Sequence, residues 1–200
     1  MQLHVGTSGF SYKEWKGPFY PGDLPAKAML GFYAERLGSV EINNTFYRLP
    51  KASVLEAWCE QVPEAFRFVI KASRRITHFK RLKDAGDETA YLLRTVAALG
   101  ERLGCLLFQL PPNLKLDLPR LDAFLRELPA GVPAAFEFRH PSWACAEVLD
   151  RLRADESRRL PTYAVETDMI EDLRRVFYFA KRIAHSVIDF EEEHEQETND

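Results

Sequence analysis

Short apolar runs alternate five times with stretches of helical periodicity over the first three quarters of the chain, and this alternation constrains the fold more than any other feature. Runs too short for a helix, each followed by a segment with apolar side chains at i, i+3 and i+4, are the mark of a parallel sheet with crossover helices. The predicted strands are Leu3–Thr7, Ser39–Asn43, Phe66–Lys71, Cys105–Leu110 and Ala134–Arg139. The predicted helices between and after them run over about Ala26–Leu37, Ala52–Gln61, Asp87–Leu103, Leu118–Glu127 and Trp143–Arg153. The class is therefore α/β. Repeated βα units build either an open doubly wound sheet or a closed (β/α)₈ barrel, and five units fit both. Gly6-Thr7-Ser8-Gly9 closes the first strand but leads into Phe10-Ser11-Tyr12 and not into a helix, so the dinucleotide fingerprint GxGxxG is not met.

Composition narrows the setting. With 46% apolar residues in 200, the chain has enough material for a core. A net charge of -3 argues against nonspecific binding to nucleic acid or membrane surfaces, while leaving a local basic patch open. The start MQLHVGTSGF lacks the pattern of a signal peptide, and no apolar stretch reaches the roughly 18 residues of a membrane span. Cys59, Cys105 and Cys145 form no CxxC pair and lie among apolar residues, as reduced thiols do. A cytoplasmic protein without a membrane partner is expected.

Side chains alternate across a strand, so strand placement fixes which residues share a face. In Val40-Glu41-Ile42-Asn43 the apolar pair turns to the helices and leaves Glu41 and Asn43 on the other face, near the strand's end. Lys71 closes the third strand, Gln109 the fourth, and Glu137 with Arg139 the fifth, while Thr7 or Ser8 closes the first. Parallel α/β folds bind ligands at the carboxyl ends of strands, and charges there are costly to bury alone. The expectation is a convergent polar site. Glu41, Lys71 and Glu137 are the candidate acid, base and electrostatic stabiliser. The same residues also read as internal ion pairs, Glu41 with Lys71 and Glu137 with Arg139.

The remaining polar and aromatic residues add less. His78 and His140 would be the imidazoles nearest the carboxylates, but no HxxxH or HxH spacing enforces metal ligation, so no metal site is assigned. His140, preceding Pro141, equally suits a helix cap. Phe10, Tyr12, Trp15, Phe19, Tyr20, Phe46, Tyr47 and Trp143 fall in loops after predicted strands, where they pack the loops or line a pocket. A basic run, Lys71, Arg74, Arg75, His78, Lys80, Arg81 and Lys83, reads as a solvated helix face or as a contact for phosphate.

Five motifs in order, GTSGFSYKEWKGPFYP (Gly6–Pro21), VEINNTFYRLP (Val40–Pro50), FRFVIKASRRITH (Phe66–His78), LLFQLPP (Leu106–Pro112) and FEFRHPSW (Phe136–Trp143), resemble those of the YecE-like family, domain of unknown function 72. The resemblance implies a TIM-type barrel. Its site would draw on Tyr12, Trp15, Glu41, Asn43, Thr45, Tyr47, Lys71, His78, Gln109, Glu137, Arg139 and His140. It implies no reaction and identifies no cofactor.

The motif resemblance ends near Arg153, with five or six βα units where a closed barrel needs eight. Residues 1–153 are thus expected to form an incomplete TIM-type barrel, with 162–166 as a diverged sixth strand. Residues 154–190 form a divergent, mainly helical segment, and 191–200 an acidic disordered tail. Apolar positions Ile170, Leu173, Val176, Phe177, Ala180, Ile183, Ala184 and Val187 recur at helical spacing and predict a long helix around 168–190, and residues 164–188 resemble a helix of phosphate-uptake-type regulators. A sheet left open would favour a homo-oligomer or a partner that completes it. The leading functional expectation is a ligand site for a small phosphate- or sugar-bearing molecule. The alternatives are a noncatalytic nucleic-acid or protein-binding module, or a truncated barrel without activity of its own.

Overall fold

The computed structural model describes residues 4–154. Five parallel strands, β1 (Gly6–Ser8), β2 (Ser39–Ile42), β3 (Arg67–Lys71), β4 (Leu103–Gln109) and β5 (Ala134–Glu137), lie side by side in sequence order. Helices α1 (Met29–Ala34), α2 (Ala52–Cys59), α3 (Gly86–Val96), α4 (Leu118–Glu127) and α5 (Ala146–Ala154) follow them one for one. The order never reverses among the described strands. A doubly wound sheet requires such a reversal, because right-handed crossovers place helices on both faces only if the chain changes direction along the sheet.

The burial pattern agrees with a single helical layer. Val40, Ile42, Phe68, Ile70, Leu106, Phe108 and Phe136 share one face and are all buried. Rings from the helices meet them there: Trp58 of α2 stacks on Phe68 at 6.1 Å, and Phe124 of α4 lies 5.1 Å from Phe108 and 6.2 Å from Phe136. At about 1.5–3 kcal/mol for each large apolar side chain removed from water, this face is the main source of stability. The opposite face carries Ser8, Glu41, Val69, Lys71, Leu107, Ala135 and Glu137, and only Gln109 is buried there.

Local chemistry explains several element ends. Asp117 caps α4 by accepting the Arg120 N–H at 3.0 Å, with Pro119 in the first turn. Gly6 lets β1 approach β2 closely, since a Cβ there would lie 1.9 Å from the Ser39 carbonyl oxygen. Gly9, at φ +87°, turns the chain off the sheet while its N–H still bonds the Glu41 carbonyl at 2.8 Å. Tyr33 of α1 pins this edge strand: its buried hydroxyl meets Thr7 N and Thr7 Oγ1 at 2.8 Å each and donates to the Ser39 carbonyl at 2.9 Å.

The structure corrects several sequence expectations. The first strand runs over Gly6–Ser8, not Leu3–Thr7. The predicted helix Asp87–Leu103 stops at Val96, continues as a tighter turn through Ala97–Arg102, and kinks at Gly100, so Leu103 already belongs to β4. Trp143 lies in a separate turn, Pro141–Trp143, ahead of α5. The basic run after β3 is no regular helix. It makes one π-helical turn, Arg75–Phe79, and then places Arg81, Leu82 and Asp84 at φ between 50° and 67°. Among the described residues the five-strand sheet is open, with β1 and β5 as its edges. The expected sixth strand, the long helix over 168–190 and the acidic tail lie outside the described residues. No helix among the described residues is long and apolar enough to cross a membrane.

Candidate functional site

The register of the sheet gathers the polar strand ends on the face away from the helices. Ser8 pairs with Glu41, and Glu41 with Val69; two residues further along, Lys71 pairs with Leu107 and Leu107 with Ala135; Gln109 pairs with Glu137 one step higher still. A register irregularity between β3 and β4, where Gly104 is the extra residue between the partners of Phe68 and Val69, sets the height of the last pair. Ser8, not Thr7, joins this face, because Thr7 is turned to Tyr33.

Two hydrogen-bonded groups result. In the first, Asn43 Nδ2 donates to Ser8 Oγ at 2.6 Å, Ser8 Oγ donates to Glu41 Oε1 at 3.3 Å, and Lys71 Nζ stands 3.4 Å from Asn43 Oδ1 and 3.7 Å from Glu41 Oε1. The Lys71 side chain is only 14% exposed, yet both of its contacts are long. An ammonium has three donors, so this one retains capacity for a further acceptor. In the second group, Glu137 takes Gln109 Nε2 on Oε2 at 2.5 Å and Arg139 Nε on Oε1 at 2.9 Å. Both expected ion pairs are thus present.

The two groups act on each other electrostatically. Burial raises the Glu137 pKa, but hydrogen bonds from Gln109 and Arg139, with the charges of Arg139 and Lys71, outweigh it and hold the carboxyl below its ordinary range. His78 is shifted below its usual value first by burial and then by the positive charges of Arg139, Lys71 and Arg81. It therefore stays neutral at neutral pH, in a region of positive potential. Its ring stands edge-on to Phe46 at 4.9 Å, and its Nδ1 lies 2.9 Å from Thr77 Oγ1.

The other candidates are placed around these groups. Thr45 is buried, and its hydroxyl lies 2.6 and 2.7 Å from the Ile42 and Lys71 carbonyls, between which its one proton is shared, so it fixes the β2 and β3 ends. Tyr12 donates to the Ser8 carbonyl and packs on Trp15, which lies among Phe19 and Tyr20. Tyr47 stands at the rim, 68% exposed. His140 caps the turn before α5, with Nδ1 accepting the Ser142 N–H at 3.1 Å. Among the described residues no group of three or more His, Cys, Asp or Glu side chains is arranged to hold a metal ion.

A cavity of about 250 Å³ opens beside Asn43, between the loops that follow β1 and β2. Phe10, Ser11, Asn44, Arg48, Pro50 and Trp58 line it along with Tyr12 and Thr45. Sequence reasoning passed over Asn44 and Arg48; the signal available was the density of polar side chains in the motif containing Asn43. Asn43 belongs to both the cavity and the Ser8–Glu41–Lys71 group, and so connects them. Chemically, Glu41 has one oxygen without a hydrogen bond among the described residues and can accept a proton. Glu137, satisfied on both oxygens, is an electrostatic anchor that orients Arg139.

Comparison with known proteins agrees with this architecture. The family model described as "Protein of unknown function DUF72" matches residues 4–184, continuing past Arg153, where the motif resemblance ends. The UPF0759 protein YecE of Escherichia coli (strain K12) is 36% identical over 142 residues, covering 70% of this chain and 50% of the relative. The UPF0759 protein YunF of Bacillus subtilis (strain 168) is 26% identical over 149 residues, covering 70% and 52%. The chain spans about half the length of the curated relatives it matches. Among solved structures, a DUF72 family protein from Thermotoga maritima aligns with a TM-score of 0.63 at 30% identity, over 76% of this chain and 62% of that one. A DUF72 family protein from Enterococcus faecalis V583 aligns with a TM-score of 0.62 at 22% identity, over 79% and 59%.

Proposed function

The chain belongs to the DUF72 family of proteins of unknown function, and on that premise we propose that it contributes the first five βα units of a TIM-type barrel whose strand ends bind a small phosphate- or sugar-bearing ligand. The barrel reading is supported by the unreversed strand order and by helices packed on one face alone, the arrangement that closes when more βα units follow. On this reading residues 1–153 form the barrel portion, while the segment expected over 154–190 lies, past Ala154, outside the described residues.

One observation carries the ligand reading. The Lys71 side chain is only 14% exposed at a strand end, and among the described residues its ammonium rests on acceptors no nearer than 3.4 Å. An ammonium largely withdrawn from water, with donors left unfilled, is a favourable place for a further acceptor. A phosphate or sugar oxygen placed between Lys71 and Arg139 would supply it, with neutral His78 as a further partner. Glu41 would then serve as general base, Lys71 as electrostatic stabiliser of developing negative charge, and Glu137 as the anchor that presents Arg139.

The test is thermal unfolding of the full chain with inorganic phosphate, glucose 6-phosphate or free glucose. The phosphate-bearing probes should raise the melting temperature, and Lys71→Met or Arg139→Gln should abolish the shift. No shift with any probe, or an unchanged shift in Lys71→Met, overturns the proposal. The second reading, a noncatalytic module that holds polyanions, is favoured by the exposure of Arg74, Arg75 and Lys83. It requires affinity for a mixed-sequence oligonucleotide that falls steeply with salt and is indifferent to Lys71.

A further inference from the structure

The rim of the strand-end site carries two large aromatic side chains that the fold leaves in water: Tyr47 is 68% exposed and Phe79 is 67% exposed. Single exposed rings are ordinary, but these two flank one cation. The Arg74 guanidinium stands 5.3 Å from the Tyr47 ring centre and 5.2 Å from that of Phe79. Tyr47 meets Phe46 edge-on at 5.0 Å, and Lys71 Nζ lies 5.6 Å from the Phe46 ring. A continuous row of cations and rings therefore runs outward from the polar site: Lys71, Phe46, Tyr47, Arg74, Phe79.

The row is rigidly mounted. Thr45, buried, ties the loop bearing Phe46 and Tyr47 to the ends of β2 and β3. The segment bearing Arg74 and Phe79 is anchored by the fully buried Ile76 and Thr77 and by Leu82. Lys80 closes that segment, donating to the Asp84 carbonyl at 2.6 Å and pairing with Glu88 at 2.7 Å. The π-helical turn and the three residues at positive φ are backbone states that a chain adopts only when its surroundings hold it there, and they gather at functional sites. The π-helical turn carries the chain from Arg74 to Phe79, and the Arg74 guanidinium stands between the Phe79 and Tyr47 rings.

We propose that this row is a stacking platform for a nucleobase, so that the ligand class of the strand-end site is a nucleotide, its phosphate toward Lys71 and Arg139 and its base on Tyr47 and Phe79. The inference rests on the phosphate reading of that site and adds the base. A nucleotide has an anion at one end and a flat, polarisable ring at the other, matching a site with cations inside and exposed aromatic rings outside. A sugar phosphate would use only the inner half. The same chemistry reaches a protein as a free nucleotide or as part of a single strand.

The experiment is calorimetric titration of the full chain with ribose 5-phosphate, adenosine 5′-monophosphate and an oligothymidylate at fixed ionic strength. The same titrations are run on Tyr47→Ala/Phe79→Ala, whose exposed positions leave the core untouched. The monophosphate should bind on the order of tenfold more tightly than ribose 5-phosphate, the gain from stacking one base. The double substitution should erase that difference without changing the affinity for ribose 5-phosphate. An oligothymidylate that binds more tightly than the monophosphate, and loses that advantage in the double variant, assigns the platform to single strands; one that binds no better assigns it to free nucleotides. Equal affinity for ribose 5-phosphate and the monophosphate overturns the base inference and leaves the phosphate site standing. Binding by none of the three overturns both.

Discussion

Removing the Tyr33 hydroxyl tests how the helical layer holds the site together. The Tyr33→Phe substitution keeps the ring in its place beside Phe10, Phe19 and Phe66, at 6.2, 6.2 and 6.3 Å, so no cavity larger than one oxygen is made. What is lost are the bonds to Thr7 N, Thr7 Oγ1 and the Ser39 carbonyl, made by a side chain that is fully buried. Thr7 Oγ1 keeps its bond to the Gly9 carbonyl at 2.6 Å, so the cost falls on the Thr7 N–H and the Ser39 carbonyl. An unsatisfied buried polar group costs about 1–3 kcal/mol. Because Thr7 and Ser39 are only partly buried, the low end of that range applies, about 1–1.5 kcal/mol for each of the two groups, and the expected loss is about 2–3 kcal/mol. For a chain of this size that is a fall of about 4–12 °C in melting temperature. Urea denaturation of the full chain measures the free energy, and amide exchange shows where the loss lands: Gly6, Thr7 and Ser8 should lose protection ahead of β3 and β4. A variant within about 0.5 kcal/mol of wild type, at the level of an ordinary surface substitution, would refute the reasoning. So would a loss spread evenly over the sheet.

Two further expectations concern titration. The Glu137 carboxyl is held below its reference value of 4.5, so its contribution to stability is complete above that pH and disappears as pH falls through the lowered folded value. Glu137→Gln should flatten this acid limb, read as unfolding free energy from pH 5 downward, and an unchanged limb counts against the Gln109–Glu137–Arg139 group. His78, lowered from its usual 6.5, should show an NMR titration midpoint below that value, and Arg139→Gln should move the midpoint upward; a midpoint at or above 6.5 in the wild type contradicts the positive field described here.

The sequence expectations succeeded where the code is local. Helix α4 has the predicted bounds because Asp117 and Pro119 mark its start and Leu121, Phe124 and Leu125 supply its buried stripe. The buried parity of β2 and β3 follows from Val40, Ile42, Phe68 and Ile70, and with it the assignment of Glu41 and Lys71 to the opposite face. The helix expected over 87–103 failed because the periodicity continues through residues that the backbone kinks at Gly100. The turn holding Trp143 was missed because the buried indole, donating to the Leu114 carbonyl at 2.7 Å, satisfies a contact 29 residues away. Nothing in Arg81-Leu82-Lys83-Asp84 announces a left-handed backbone, a conformation uncommon for leucine and fixed here by the burial of its side chain.

The chain by itself thus determined the α/β class, the approximate positions of the strands after the first and the polar character of their ends, since periods of 2 and 3.6 residues are written in neighbouring side chains. Tertiary structure alone decided the strand order, the single helical layer, the choice of Ser8 over Thr7 and the height of Glu137 relative to Lys71. It also set the looseness of the Lys71 contacts and brought Arg74 between Tyr47 and Phe79. These depend on register and on packing between segments far apart in sequence, where a shift of one residue would turn every side chain of a strand to the other face.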